Sequence, residues 1–155
     1  MLQRIQTVYW GLTIMCLSVL LSGLDIVAFQ KDQLTYKLSF YSLKQIDETG
    51  SIIKKSSNYN FVLVLMTLVL TLYTIFQFKN LKKQLSLAKW LMFFNLFIPI
   101  MIIIFSYTGM IVSNPAFIKL NFWVALLLVS FVFSVLAFLG VKKDKSLLDS
   151  VDRIR

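Results

Sequence analysis

An asparagine and a proline stand one helical turn apart within an apolar stretch, at Asn95 and Pro99. Proline has no backbone N–H, so the carbonyl group of residue 95 would lose its usual partner in a helix. That carbonyl and the Asn95 amide together would make a concentrated polar spot in apolar surroundings. Such a spot is typical of a helix kink whose freed carbonyl is satisfied by a neighbouring helix. The alternative is a contact for a small ligand or an ion.

Small and hydroxyl-bearing side chains recur at helical spacing in three other apolar stretches. They share one face within each stretch: Gly11, Ser18 and Ser22 in the first, Thr67, Thr71 and Thr74 in the second, and Ser130 and Ser134 in the last. Small residues let helices approach closely, and hydroxyl groups bond across helices or to the preceding turn. The stripes therefore predict helix packing, with a solute pathway as the alternative.

The residue types that most enzymes use are scarce. The chain has no His and a single Cys. This removes the commonest general base at neutral pH, and it excludes an internal disulfide and a cysteine-based zinc cluster. No Asp, Glu, Lys or Arg lies in the middle of an apolar stretch, where proton relays and ion paths usually need one. The sequence predicts a protein that is not an enzyme and that binds no cofactor or metal.

The composition indicates the elements that must position these residues. Of the 155 residues, 58% are hydrophobic and 15% are charged, against about 25% charged in soluble domains. Four apolar stretches are near the length of about 17–25 residues that a membrane-spanning helix needs. They cover residues 5–24, 61–78, 87–106 and 120–141. Since the backbone finds no water partners in lipid, each should be a helix. We expect one integral membrane domain over residues 1–155, an all-α bundle of four transmembrane helices.

The basic residues predict how this bundle is oriented. The net charge is +9, and Lys and Arg concentrate near the N-terminus, around residues 79–89 and in the tail 142–155. Four spans would place these segments on one side of the membrane. The positive-inside rule puts that side, with both termini, in the cytoplasm and the 25–59 connection outside. The charge therefore indicates topology, and we expect anionic lipid headgroups as the partners of these segments and no nucleic acid.

The outer connection, residues 25–59, has a strand-like pattern. Side chains alternate between apolar and polar in residues 34–40 and again in 42–46, and residues 51–55 could return as a further strand. The phase breaks at 40–41, as at a bulge, and residues 47–50 suit a turn. An isolated hairpin is only marginally stable in water. We predict a small β-hairpin that rests on the helix ends, as a lid or as a docking surface for a partner.

The tail has the pattern of an amphipathic helix. Its apolar residues, at 147, 148, 151 and 154, share one helical face. This predicts a short C-terminal helix lying along the inner membrane interface. Arg4 would lie at a similar depth, so we expect it to pair with Asp149 or Asp152 and to clamp the tail across the cytoplasmic face of the bundle.

Both ends of the chain resemble those of a known family. LQRIQTVYW at residues 2–10 and VKKDKSLLDSVDRIR at residues 141–155 are similar to the terminal signatures of a small four-span family of unknown function from Bacteroidota. The resemblance extends over the whole chain. It implies a location in the bacterial inner membrane, and it brings no catalytic residues with it.

These patterns together predict an accessory or scaffold subunit of a larger membrane assembly, with membrane lipids and other membrane protein subunits as partners. Packing stripes, an exposed outer loop and amphipathic ends without a chemical site favour this function. The alternative is a protein that handles a small solute or a lipid in a cavity near Asn95 and Pro99. An enzyme would need a convergent set of acid, base or nucleophile, to which only Asp25, Asp47, Glu48 and the hydroxyls on the outer side could contribute.

Overall fold

The computed structural model describes residues 5–31, 34–47, 50–57, 60–111 and 117–154, with side chains described outside 31, 56–57, 105–111, 117–118 and 151–154. These residues form four helices and five strands. In chain order they are α1 (Ile5–Leu20), β1 (Asp25–Lys31), β2 (Leu34–Ser39), β3 (Ser42–Ile46), β4 (Ile52–Ser57), α2 (Asn60–Phe76), α3 (Leu81–Ile111), β5 (Phe117–Leu120) and α4 (Val124–Ile154).

Helices α3 and α4 are long and apolar enough to cross a membrane. Each has 31 residues, which corresponds to about 46 Å, and their apolar segments are Leu81–Ile104 and Val124–Ser150. Only 28% of the apolar 18-residue window in each segment is buried, whereas the core helix of a soluble protein is mostly buried. Both helices therefore present a large apolar surface to their surroundings.

Helices α1 and α2 are apolar but shorter. They have 16 and 17 residues, or about 24–26 Å, which is less than the about 30 Å of a bilayer's hydrocarbon core. Among the described residues, two helices thus meet the length and apolarity of a span, and the chain also contains a sheet. The expectation of an all-α bundle of four transmembrane helices is wrong.

Local capping explains why the helix ends differ from the apolar stretches. After Leu20 the chain turns, and Gly23 adopts a φ of 86°, which glycine tolerates because it has no Cβ. Helix α3 instead begins six residues before the predicted stretch, because Asn80 caps it. The Asn80 Oδ1 accepts from the Lys83 N–H at 3.3 Å, as an N-cap residue does. Apolar composition alone therefore does not show where α1 ends or where α3 begins.

The described strands between α1 and α2 belong to a five-stranded antiparallel sheet with the order β4-β3-β2-β1-β5. The two described ends of the predicted turn at residues 47–50 are joined, since the Gly50 N–H donates to the Asp47 carbonyl at 2.9 Å, and residues 48 and 49 lie outside the described residues. The break at 40–41 is a turn that joins β2 to β3, and the interpretation as a bulge is wrong. The hairpin prediction missed β1 and β5, because β5 comes from the distant connection between α3 and α4 and pairs with β1.

The sheet packs on one end of the helices. Its core face contributes Val27, Phe29 and Leu38 to a buried cluster with Leu17 of α1 and Leu127 of α4. A hydrogen bond of 2.7 Å from Asn121 Nδ2 to the Asp25 carbonyl ties the chain just before α4 to the start of β1. The sheet is therefore fixed at the end of the bundle opposite to the α2–α3 connection.

The tail continues α4 as far as Ile154. The prediction of a separate interfacial helix at the C-terminus is wrong in this respect. Gly140 lies inside α4, and residues 141–150 contain no Gly or Pro that would end the helix. The amphipathic pattern thus extends a long helix and does not start a new one.

Candidate functional site

Asn95 joins the two long helices. Its side chain is buried, and its Nδ2 donates to the Leu91 carbonyl at 3.0 Å. From α4, the Ser130 hydroxyl lies 3.3 Å from Asn95 Oδ1 and 2.8 Å from the Leu127 carbonyl, so one proton is shared between two acceptors. Pro99 is half-buried one turn further along, and α3 continues through it. The Asn95 amide is thus partnered within the protein, and the kink at Pro99 with a neighbouring helix as the partner of the freed carbonyl stays a prediction.

Replacing Asn95 by alanine should lower the free energy of unfolding by about 1–2 kcal/mol, because an interhelical hydrogen bond and buried contacts are lost. Thermal unfolding in detergent, followed by circular dichroism, measures the change. Ser18→Ala is the matched control, since Ser18 is exposed and bonds only the Met15 carbonyl of its own helix. Equal stability of the Asn95→Ala variant and the unsubstituted protein would contradict a structural role for this amide.

The threonine stripe lies on the buried face of α2. The hydroxyls of Thr67, Thr71 and Thr74 donate to the carbonyls of Leu63, Thr67 and Leu70, each at 2.7 Å. Each hydroxyl is thus satisfied by the preceding turn of its own helix. The stripe presents small side chains to the neighbouring helices without leaving a buried polar group unpaired.

The other stripe residues are placed differently from one another. Ser134 is buried and donates to the Phe131 carbonyl at 2.7 Å. Ser18 and Ser22 are exposed and donate to carbonyls of α1. Gly11 is half-buried, and a Cβ added there would meet nothing within 4 Å. The structure therefore does not bring a neighbouring helix against Gly11.

The proposed clamp involves residues at the margins of the structure. Arg4 lies outside the described residues, and so does the side chain of Asp152. Asp149 is exposed on α4. The pairing of Arg4 with Asp149 or Asp152 stays a prediction.

A buried polar layer, which the sequence interpretation missed, lies near the α2–α3 connection. We use this name for Gln6 and Trp10 of α1 and Gln84 of α3, all of which are buried. Trp10 packs with Ala88 of α3 and Ala137 of α4. Since Gln6 and Gln84 lie one turn before Trp10 and Ala88 respectively, both glutamines are at the same level of the bundle. In the sequence, each glutamine stands four residues before an apolar residue, Trp10 or Ala88, and this helical spacing is the signal that could have revealed the layer.

Several atoms of the polar layer have no hydrogen-bond partner among the described residues. Gln84 Nε2 donates to the Thr74 carbonyl at 3.2 Å. Both polar atoms of the Gln6 side chain, Trp10 Nε1 and Gln84 Oε1 are unpartnered. An unpartnered buried polar group costs about 1–3 kcal/mol. The layer is therefore a costly feature of the fold, in contrast to the satisfied threonine stripe.

Replacing Gln6 by methionine should raise the free energy of unfolding by about 1–3 kcal/mol, since it removes two unpartnered polar groups and keeps a long flexible side chain. Chemical unfolding in detergent measures the effect. Gln84→Met should gain less, because it also loses the hydrogen bond to the Thr74 carbonyl. A lower stability of the Gln6→Met variant would contradict the cost assigned to these unpartnered groups.

Comparison with known proteins identifies a family for the chain. The profile of the family described as Domain of unknown function (DUF4293) matches residues 2–154. The match covers nearly the whole chain, which therefore belongs to this family. A search of curated proteins finds no match.

Proposed function

We propose that this member of the DUF4293 family is a non-enzymatic, multi-pass protein of the bacterial inner membrane that serves as an accessory or scaffold subunit of a larger assembly. Helices α3 and α4 cross the bilayer, and α1 and α2 pack beside them. The similarity of residues 2–10 and 141–155 to the ends of a Bacteroidota family supports the choice of membrane. Membrane lipids and other membrane subunits are the proposed partners.

The observation that carries this function is the β4 edge of the sheet, beside which no other described strand lies. Strand β4 ends the strand order, and residues 51–55 are all exposed. Ile52 and Ile53 are each 57% exposed, although isoleucine usually lies inside proteins. An edge strand with exposed apolar side chains and open backbone groups can pair with a strand of another protein. The sheet is thus suited to docking a partner beside the membrane.

The helix arrangement supports a cytoplasmic location of both termini. Gln6 of α1 contacts Gly140 of α4, and Thr74 of α2 is bonded to Gln84 of α3, so these segments share the end opposite to the sheet. Exposed lysines cluster at this end: Lys79, Lys82, Lys83, Lys142 and Lys143. The positive-inside rule favours the cytoplasm for such a cluster.

A membrane-impermeant thiol reagent tests this orientation. In cells with a permeabilised outer membrane, it should label a cysteine introduced at position 55 but not one introduced at position 146.

Site-specific photocrosslinking from Ile53 in native membranes tests the scaffold function. We expect one discrete adduct of this protein with a partner subunit, because Ile53 lies on the open edge strand. A crosslinker at Phe76 is the matched control, since Phe76 is also exposed but lies at the other end of the bundle. Crosslinking to lipid alone from both positions, together with purification as a single species, would overturn the proposal.

A further inference from the structure

Four lysines lie in one row across the sheet. Lys37 of β2 stands opposite Lys44 of β3, which stands opposite Lys55 of β4. On the other side of Lys37 comes Ala28 of β1, and opposite Ala28 is Lys119 of β5. Residues directly opposite each other share a face of the sheet, with Cβ atoms about 4.5–5.5 Å apart. We call Lys37, Lys44, Lys55 and Lys119 the lysine row.

The lysine row lies on the face of the sheet that points away from the helices. Side chains alternate between the two faces along a strand. Val27 and Phe29, on either side of Ala28, are buried in the core, as is Leu38 next to Lys37. Ala28 and Lys37 therefore lie on the opposite face. Lys55 and Lys119 are exposed, and Lys37 and Lys44 are half-buried.

The stability of the fold does not account for this row. Like charges directly opposite each other destabilise a sheet, and strands β2 to β5 contain no Asp or Glu that would offset them. Lysines on edge strands protect a sheet from aggregation, but this reason applies only to Lys55 and Lys119. Lys37 and Lys44 lie on interior strands. A row of this kind is suited to binding a partner with negative charge.

We propose that the lysine row binds an acidic helix of a partner protein, an inference that rests on the scaffold function proposed above. Neighbouring strands are about 4.8 Å apart, so the row extends over about 19 Å. Acidic side chains on one face of a helix recur at about 5.4 Å per turn, and about 13 residues cover the same length. Lipid headgroups of the protein's own membrane are disfavoured as the ligand, because the row faces away from the helices that enter that membrane.

Binding of a synthetic helical peptide to the full-length protein in uncharged detergent tests the proposal. The peptide carries Glu at positions i, i+4, i+7 and i+11, and a peptide with Gln at these positions is the reference. Fluorescence anisotropy should show binding of the Glu peptide only. A Lys37→Gln/Lys44→Gln double variant should bind about tenfold more weakly. Raising the salt from about 50 to about 500 mM should also weaken binding, because it screens exposed charges.

Lys54→Gln is the matched control, because Lys54 is exposed on the same edge strand but stands opposite Gln45, outside the row. The double variant should remain folded, since removing facing like charges relieves repulsion, and circular dichroism verifies this. Equal affinity of the double variant and the unsubstituted protein would overturn the proposal. The proposal would also be overturned if polyphosphate bound through the lysine row while the Glu peptide did not bind. The ligand would then be a phosphate polymer.

The test separates this inference from the scaffold function. The adduct from Ile53 reports whether a partner docks on the sheet edge, and it does not depend on the acidic peptide. If the adduct forms while the Glu peptide fails to bind, the scaffold function stands and the proposal of an acidic helix as the ligand of the lysine row is overturned. If no adduct forms, the scaffold function fails, and the acidic helix loses the partner on which it rests.

Discussion

Replacing Trp10 by alanine is expected to lower the free energy of unfolding by about 3–5 kcal/mol, the range for large aromatic side chains removed from a core. Trp10 is 0% exposed and packs against Ala88 and Leu91 of α3 and Ala137 of α4. The small side chains of Ala88 and Ala137 leave the space that the Trp10 indole ring fills. A cavity at this point would remove contacts between α1 and the two long helices together.

Trp90→Ala is the matched control for this prediction. Trp90 is 56% exposed on α3, so its removal leaves no internal cavity and should cost less than about 1 kcal/mol. Thermal unfolding in detergent, followed by far-ultraviolet circular dichroism, compares the two variants without relying on tryptophan fluorescence. Similar losses for both would show that α1 does not pack on the long helices through Trp10.

Leucine in place of Gly140 is expected to lower the free energy of unfolding by about 1–3 kcal/mol through overpacking. A Cβ at position 140 would lie 3.2 Å from Gln6 Cβ and 3.8 Å from Gln6 Cα. The approach to Gln6 Cβ is the tight one, and rotation of the glutamine side chain does not relieve it because Cβ is held by the backbone of α1. The larger side chain should push α1 away from α4 next to the polar layer.

Gly11→Leu provides the comparison at a helical glycine with free space. A Cβ at Gly11 would meet nothing within 4 Å, and leucine favours the helix over glycine by about 0.8–1 kcal/mol. We expect this variant to be as stable as the unsubstituted protein or more stable. Chemical unfolding in detergent measures both variants. A Gly140→Leu protein of unchanged stability would show that the close approach of α1 to α4 does not occur in solution.

Residue types predicted the candidate polar contact at Asn95 but not its partner. An amide in an apolar stretch must find a hydrogen bond, because the unpartnered group is costly in apolar surroundings. That the partner is Ser130 depends on how α3 packs against α4. Gln6 and Gln84 show the converse, since both lie near charged or terminal segments in the sequence and become buried only in the folded protein, where Gln6 lies beside Gly140 of α4 and Gln84 bonds the Thr74 carbonyl of α2.

Apolar patterning by itself determined the four apolar helical segments and the strand-like character of the connection between the first two. The apolar character of side chains is a local property of the sequence, so it can be read along the chain. Tertiary structure alone decided the addition of β1 and β5 and the row of four lysines. The helix ends depend on local signals that apolar patterning does not contain, such as the positive φ of Gly23 and the Asn80 cap. The row depends on pairing between strands as distant as β1 and β5, and strand register is a property of the folded sheet that no one segment contains.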